Sequence, residues 1–576
     1  MDTAPSNAKI PRAPSGKSWQ FNLRLLEKSL HPLDRFPALL LALGAMLAGL
    51  LLFISTSDSI PMVWDEGDYI RRGQLVQSRI LNKDAPQNAS SPPLAWPFLN
   101  VREGHPSGFI YPIALGEWLA PASWSPLTRY RYGPMICFSL AGGCLFYRLA
   151  REASSLAGIV TCLALFGQSR LFAHAHFATQ DGQLVAWTLI AWAFFSPALR
   201  SWIACGFWGI CLGMLLSVKF SALLVIPTFW IAVLFLWSRR AWVSIFISTA
   251  IAISTFWIFN PPLWTEPLEG LKAYFRLNLN RQENFNITGY FLGGYYDLDH
   301  PLPWYNSLFW LAIVLPLPWL ILGLFGLGHW CFISIRDRKD HCFLLSALGI
   351  LAVFLITRAM PGVPVHDGVR LFLPAFGVWA IFVGWGTHHF MRWSLCEFSR
   401  WKAASWLILF GTMLGGVHGA ARYFPQNLSY YNLLIGGLRG ATDAGMEPTY
   451  WWDGLDAEAL NWLHEHTPEG EKIGFSACSV QNLQLLQEWK ILQRGTLRHQ
   501  PGAYRWYVVQ NRPSGMNPID QYLIANEKPA FRKYIHPPSD DWGPWKLDVP
   551  LLEVYSMEQF ARAVQAIQQA KHSEKN

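Results

Sequence analysis

The sequence predicts a polytopic α-helical membrane protein with about eleven transmembrane helices and a small C-terminal α/β domain. Three observations lead there. Of 576 residues, 52% are hydrophobic and only 15% are charged, whereas a soluble domain carries about 25% charged residues. About eleven runs approach the roughly 20 apolar residues that cross a bilayer, with short basic clusters between them. Beyond about residue 440 the chain turns polar and has no run of span length.

The elements follow in order. A basic segment, 1–35, holds Lys9, Arg12, Lys17, Arg24, Lys28 and Arg35, and positive charge ahead of a first span keeps that side in the cytoplasm. The run 36–56 follows with no small-residue cleavage pattern, so a retained span is the stronger reading and a removable leader the weaker. Further runs lie near 134–150, 154–172, 182–198, 202–217, 219–237, 241–259, 305–334, 342–357, 369–391 and 402–420. Threaded from a cytoplasmic N-terminus, they put Arg148, Arg151, Arg200, Arg239, Arg240, the segment Arg336 to Lys339 and the segment Arg392 to Lys402 inside. The loops 57–133, 173–181, 260–304 and 358–368, and everything after about 421, then face outward. Residues 36–439 read as one membrane domain and 440–576 as an extracytoplasmic one. In the latter, ALNWLHEH has helical spacing, while KIGFSA, YRWYVVQ and LLEVYSM are short strand-like runs.

This pattern excludes several function classes. The formal charge of +8 is divided among clusters between apolar runs, which suits membrane topology and argues against a nucleic-acid partner. All of the nine cysteines except Cys478 fall in or beside apolar runs, leaving no disulfide pair in the last domain and no CxxC or Cys/His zinc spacing.

The outward loops carry the unusual residues. The first contains PMVWDEGDYI, with Asp65 and Glu66, then GHPSGFIYP, with His105. The next is RLFAHAHFATQDG, with His174, His176 and Asp181, and a later one is MPGVPVHDGVRLFLP, with His366, Asp367 and Arg370. Charges this close to a bilayer need a partner, a metal or a chemical role. If the loops converge, a carboxylate can take a proton from an acceptor hydroxyl while a cation stabilises a departing phosphate. A lipid carrier would confine such a donor to the membrane edge.

Each residue also has a plainer reading. An Asp-Glu dipeptide is common in loops, and His174 and His176 suit a structural role as well as metal ligation. A divalent metal there would need a carboxylate from Asp65, Glu66 or Asp181. Arg370 and Lys219 open apolar runs, where phosphate binding and snorkelling to the interface are equally compatible with spacing. The amphipathic stretches 67–80 and 109–119 suit interfacial helices or ordinary loop helices. Asn88, Asn286 and Asn427 begin N-x-[ST] sequons on the expected outer side.

In order, PMVWDEGDYI, GHPSGFIYPIALGEWL, RYRYGPMICFSLAGGCLFYRLARE, RLFAHAHFATQDG, SVKFSALLVIP, HDGVRLFLP and SYYNLLIGGLRGATDAGMEPTYWWDG resemble the polyprenyl-phosphate-dependent glycosyltransferases. Among these are the protein O-mannosyltransferases of glycosyltransferase family 39 and the aminoarabinose transferases of lipid A. The resemblance covers most of residues 36 to 455, and the texture is most similar to bacterial phospholipid carrier-dependent glycosyltransferases. It implies a GT-C fold and an inverting transfer of a hexose or pentose from a lipid phosphate, in a bacterial inner (plasma) membrane. It further implies Asp65 as base or acceptor holder with Glu66 beside it, Asp181 as the second acidic position, and Arg370, with Lys219, at the donor phosphate. His105, His366 and Asp367 would line the acceptor pocket. The chain departs from the mannosyltransferases at His105-Pro106-Ser107-Gly108 and lacks room in 260–304 for their lumenal repeat domain. That leaves a glycan, a lipid or a protein as acceptor, and protein glycosylation or an envelope glycan as the setting. A secondary transporter is a competing reading, although transporters place ionisable residues near the midplane, often within repeated halves. A non-catalytic envelope-assembly protein is a third.

Overall fold

In the computed structural model the described residues are 37–80, 104–236, 238–264, 266–280, 288–336, 342–365, 367–397, 402–492, 495–496, 504–537 and 546–573. The basic segment 1–35, the sequons at Asn88 and Asn286, and His366 lie outside them.

Each of the eleven apolar runs is helical, but they are not eleven straight spans. Among the described residues, five helices are long and apolar enough to cross a membrane, or seven if each of two bent pairs forms one span. The run 154–172 breaks by 74° into Ser155–Gly167 and Ser169–His176, and the run 305–334 breaks by 120° into Asn306–Val314 and Leu317–Phe332. The second break falls at Leu315 and Pro316, with Pro318 just beyond; proline lacks the amide donor and clashes with the preceding turn. Trp202–Leu216, Phe220–Leu234 and Phe343–Ala359 are shorter apolar helices, and Gln180–Ala198 spans 19 residues.

The outermost helix, Ala38–Thr56, shows what surrounds the bundle. It leaves Leu39, Leu40 and Leu51 58%, 60% and 66% exposed, and each such side chain would gain about 1.5–3 kcal/mol by leaving water. The bilayer provides that transfer. By contrast, Leu373–Glu397 runs through the middle and buries Phe376, Trp379, Phe382 and Trp385.

The connections at one end of the bundle converge. Asn260 Oδ1 accepts from the Ser107 amide at 2.8 Å, Asn278 Nδ2 donates to the Gly104 carbonyl at 2.7 Å, and the Gly108 amide donates to Ser217 O at 2.8 Å. Behind this loop, the helix Ile110–Leu119 lies directly on Pro126–Glu152. Contact is close enough that a Cβ on Gly133 would sit 1.8 Å from the Pro112 carbonyl oxygen, so only glycine fits.

The C-terminal part is a five-stranded mixed sheet with helices, and the three strand-like runs of the sequence supply three of its five strands. With β1 (Gly289–Phe291) and β2 (Gly294–Tyr296) forming a separate hairpin, it comprises β3 (Ile473–Phe475), β4 (Gly495–Thr496), β5 (Trp506–Gln510), β6 (Phe531–Lys533) and β7 (Leu552–Ser556). The order is β4-β3-β5-β7-β6, parallel across β4, β3 and β5 and antiparallel from β5 through β7 to β6. Its helix Val480–Glu488 docks on the acidic turn: Asn482 accepts from the Gly67 amide at 2.8 Å and donates to the Val63 carbonyl at 2.8 Å. A Cβ on Gly67 would lie 2.3 Å from that Asn482 oxygen. The C-terminal domain therefore grips both sides of Asp65 and Glu66.

Candidate active site

The two adjacent carboxylates have different fates. The helix Glu66–Ile80 begins between them, and Glu66 and Asp68 occupy its first turn, where the amide dipoles favour negative charge. Glu66 turns inward and is fully buried with Arg131. Arg131 Nε and Nη2 donate to its two oxygens at 2.7 and 2.8 Å, and the Ala178 amide donates to Oε1 at 2.8 Å. Arg131 also donates to the carbonyls of Ser57, Ile60 and Pro61 at 2.7, 2.8 and 3.1 Å. Sequence reading expects Glu66 to be catalytic; the structure places its oxygens on Arg131 and the Ala178 amide, where they hold loop 57–61 against the segment that follows His176. Glu66→Gln strands the Arg131 charge in the interior and is expected to cost about 3–5 kcal/mol. Thermal unfolding in detergent checks this, and an unchanged midpoint would refute it.

Asp65 faces the other way, with its side chain 25% exposed, and Arg370 Nη2 donates to its Oδ2. Arg370 is the hub. Its Nε donates to Asp181 Oδ2 at 2.7 Å and its Nη1 to Asp367 Oδ2 at 2.8 Å. Lys219 Nζ donates to the other Asp181 oxygen at 2.6 Å. Asp181, fully buried, lies in the first turn of Gln180–Ala198. Three of the segments read as loops and the start of the central helix thus meet at one guanidinium, whose planar fork suits several carboxylates at once. Asp367 holds a left-handed backbone, φ 59°, followed by Gly368 at φ 54°. Side chains rarely adopt that region, and such positions cluster at functional sites.

Aromatic residues from the segment Tyr450 to Trp452 cover this cluster. The Arg370 guanidinium lies 4.0 Å from the centre of the Trp451 ring, and Arg512 lies 3.7 Å from that of Trp452. Arg512, which follows β5, donates from Nη2 to Asp367 Oδ1 at 2.7 Å, and its Nε is 3.6 Å from Glu447. Burial pushes the Glu447 carboxyl above its ordinary range against the pull of Arg512, and burial likewise raises Asp453, which accepts from Thr449.

His174 and His176 do not form a metal site. They end the helix Ser169–His176 rather than lying in a loop, and two residues of helix turn side chains about 200° apart. His174 Nε2 meets the Tyr450 hydroxyl at 2.9 Å, while His176 bonds the Phe172 carbonyl at 2.7 Å and Thr56 Oγ1 at 2.8 Å. Among the described residues, no group of three or more His, Cys, Asp or Glu is placed to hold a metal. Asn427, which begins one of the sequons, is 1% exposed and its amide donates to Ser169 and the Ala420 carbonyl.

Beside Arg370 opens a cavity of about 420 Å³. Its lining includes Arg370, Lys219, Arg358, His105 and Gln180, together with Leu223, Leu224, Phe354, Val363 and Leu371. Gln180 Nε2 donates to His105 Nε2 at 3.2 Å and to the Tyr69 hydroxyl at 3.3 Å. Arg358 escaped sequence reasoning, although a cation at the end of a span that the threading expects to face outward, against the positive-inside tendency, is a readable signal. Arg512, Trp451 and Gln180 carry no comparable signal, because their roles arise only from docking.

No protein-family model matches the chain, and no curated protein matches it in sequence. Among solved structures, ArnT from Cupriavidus metallidurans in the apo state is similar at 12% identity and a TM-score of 0.48, covering 89% of this chain and 98% of that one. ArnT bound to undecaprenyl phosphate aligns over the same shares at a TM-score of 0.45. The apo oligosaccharyltransferase of Archaeoglobus fulgidus aligns at 11% identity and a TM-score of 0.44, over 81% of this chain and 69% of that one. Likeness at this level is one of outline, and the chemistry of the site stands on its own geometry.

Proposed function

We propose that the chain is an inverting GT-C glycosyltransferase that moves a sugar from a polyprenyl-phosphate carrier to an acceptor hydroxyl at the outer face of the membrane. The observation that carries this reading is the cavity beside Arg370, whose lining combines three cations, Arg370, Lys219 and Arg358, with a largely apolar wall. Such a space fits an amphiphile with an anionic head. A partly exposed carboxylate, Asp65, is bonded to the same Arg370.

In this mechanism the acceptor oxygen attacks the anomeric carbon from the face opposite the carrier. The bond from that carbon to the phosphate oxygen breaks, Asp65 takes the hydroxyl proton, and the carrier leaves as polyprenyl phosphate beside Arg370 and Lys219. A positioned base contributes about 10²–10⁴-fold, and fixed cations aimed at the developing phosphate charge lower the barrier further. In the free protein, three cations, Arg370, Lys219 and Arg512, face three carboxylates, Asp65, Asp181 and Asp367. A phosphate that draws Arg370 toward itself releases the Asp65 oxygen which Arg370 holds, so arrival of the donor frees the base. Asp181 retains Lys219 and keeps the hub in place. The tail would lie among the apolar residues of the cavity.

The test is transfer from a labelled polyprenyl-phosphate sugar by purified full-length protein in lipid, with membrane extract as acceptor. A labelled covalent product with release of polyprenyl phosphate is expected. Transport of a solute into proteoliposomes with no covalent product would overturn the reading.

A further inference from the structure

The exterior domain sends one charged side chain into the centre of the site, and the geometry around it assigns that side chain a task. Arg512, 2% exposed, reaches Asp367 Oδ1 at 2.7 Å, and the other oxygen of the same carboxylate accepts from Arg370 at 2.8 Å. The two guanidiniums stack on consecutive rings, Arg370 on Trp451 and Arg512 on Trp452, at 4.0 and 3.7 Å. They form a two-rung ladder with Asp367 as the tie between rungs. Both Asp367, φ 59°, and Trp452, φ 56°, hold left-handed backbones, a conformation that surrounding contacts must enforce.

We infer that Arg512 is a positioning residue for the donor phosphate: by sharing the Asp367 carboxylate it weakens that carboxylate's hold on Arg370 and leaves Arg370 available to a lipid phosphate. This rests on the reading of Arg370 as the phosphate-binding cation. The physical argument is competition. One negative charge divided between two guanidiniums attracts each less than it would attract one alone. Without Arg512, both Asp367 oxygens turn to Arg370, and an incoming phosphate must displace a stronger rival. The exterior domain is then part of the donor site rather than only a cover.

The competition makes an unusual forecast: removing Arg512 weakens phosphate binding, and removing Asp367 as well restores it. A domain-docking role alone predicts no restoration, because Asp367→Asn does not rebuild the contact that Arg512 made. Full-length protein in mixed micelles is titrated with dodecyl phosphate, and ligand-induced thermal stabilisation is followed from each variant's own baseline. Dodecanol serves as the tail-only control. In wild type, stabilisation by the phosphate and not the alcohol is expected. Arg512→Met is expected to raise the half-saturating concentration about tenfold, a change of about 1.4 kcal/mol, and Asp367→Asn in that background to return it to within about threefold of wild type. Arg512→Gln keeps an amide donor without the charge and provides the same comparison should the Met variant fail to fold.

Absence of phosphate-dependent stabilisation in wild type would overturn the reading of the Arg370 site and this inference with it. Wild-type binding with an unchanged midpoint in both Arg512 variants would overturn the inference alone. So would weakened binding that Asp367→Asn does not restore.

Discussion

Asp65→Asn is expected to lower sugar transfer by about 10²–10⁴-fold while leaving the protein folded and able to bind the lipid phosphate. The amide is nearly isosteric and can still accept from Arg370 through its oxygen, but it cannot take the acceptor proton. The side chain is 25% exposed, so little stability depends on its charge. Lipid-phosphate binding is expected to persist or tighten, because a carboxylate competing for Arg370 has gone. The measurement is initial transfer rate beside the thermal midpoint and dodecyl phosphate titration of the same preparation. Wild-type transfer by Asp65→Asn would remove the base assignment. Loss of transfer with loss of the fold would instead place Asp65 with Glu66 as a structural group.

Arg370→Met is expected to have the larger effect on the protein as a whole. Three carboxylates, Asp65, Asp181 and Asp367, lose a shared cation, and breaking a buried pair costs about 3–5 kcal/mol. Phosphate-dependent stabilisation is expected to vanish as well. Arg370→Lys is expected to recover only part of either property, because an ammonium lacks the planar fork that reaches three partners. Adding Asp181→Asn to Arg370→Met separates the two losses: it removes one stranded charge and should regain stability, but not phosphate binding. Recovery of phosphate binding in that double variant would show that Arg370 is structural, leaving Lys219 and Arg358 as the cations that meet the phosphate.

The contrast between Asp65 and Glu66 marks where sequence reading stops. The pair announces itself as costly charge beside a bilayer, and nothing in the order of residues says which member turns inward. The start of a helix decides it, one residue of rotation sending Glu66 to Arg131 and leaving Asp65 at Arg370. His174 and His176 show the same limit. Their alternation suits a metal on an extended loop, but on a helix it turns the rings to opposite sides, toward Tyr450 and toward Thr56.

Apolar runs, basic clusters and the late change to polar texture determined a helical membrane bundle with a small C-terminal α/β domain, because the hydrophobic effect and the lack of water in a bilayer act on local composition. The same reading brought Asp65, Asp181, Lys219, Asp367 and Arg370 forward, since charge at a membrane edge is expensive wherever the chain goes next. Tertiary structure alone decided that Arg370 joins three loops, that Glu66 is a brace, and that Arg512 reaches the site from a distant part of the chain. Ion pairs and ring stacking depend on distances of a few ångströms between segments far apart in sequence. Packing within the bundle sets those distances at Arg370 and Glu66, and packing of the C-terminal domain on the bundle sets them at Arg512.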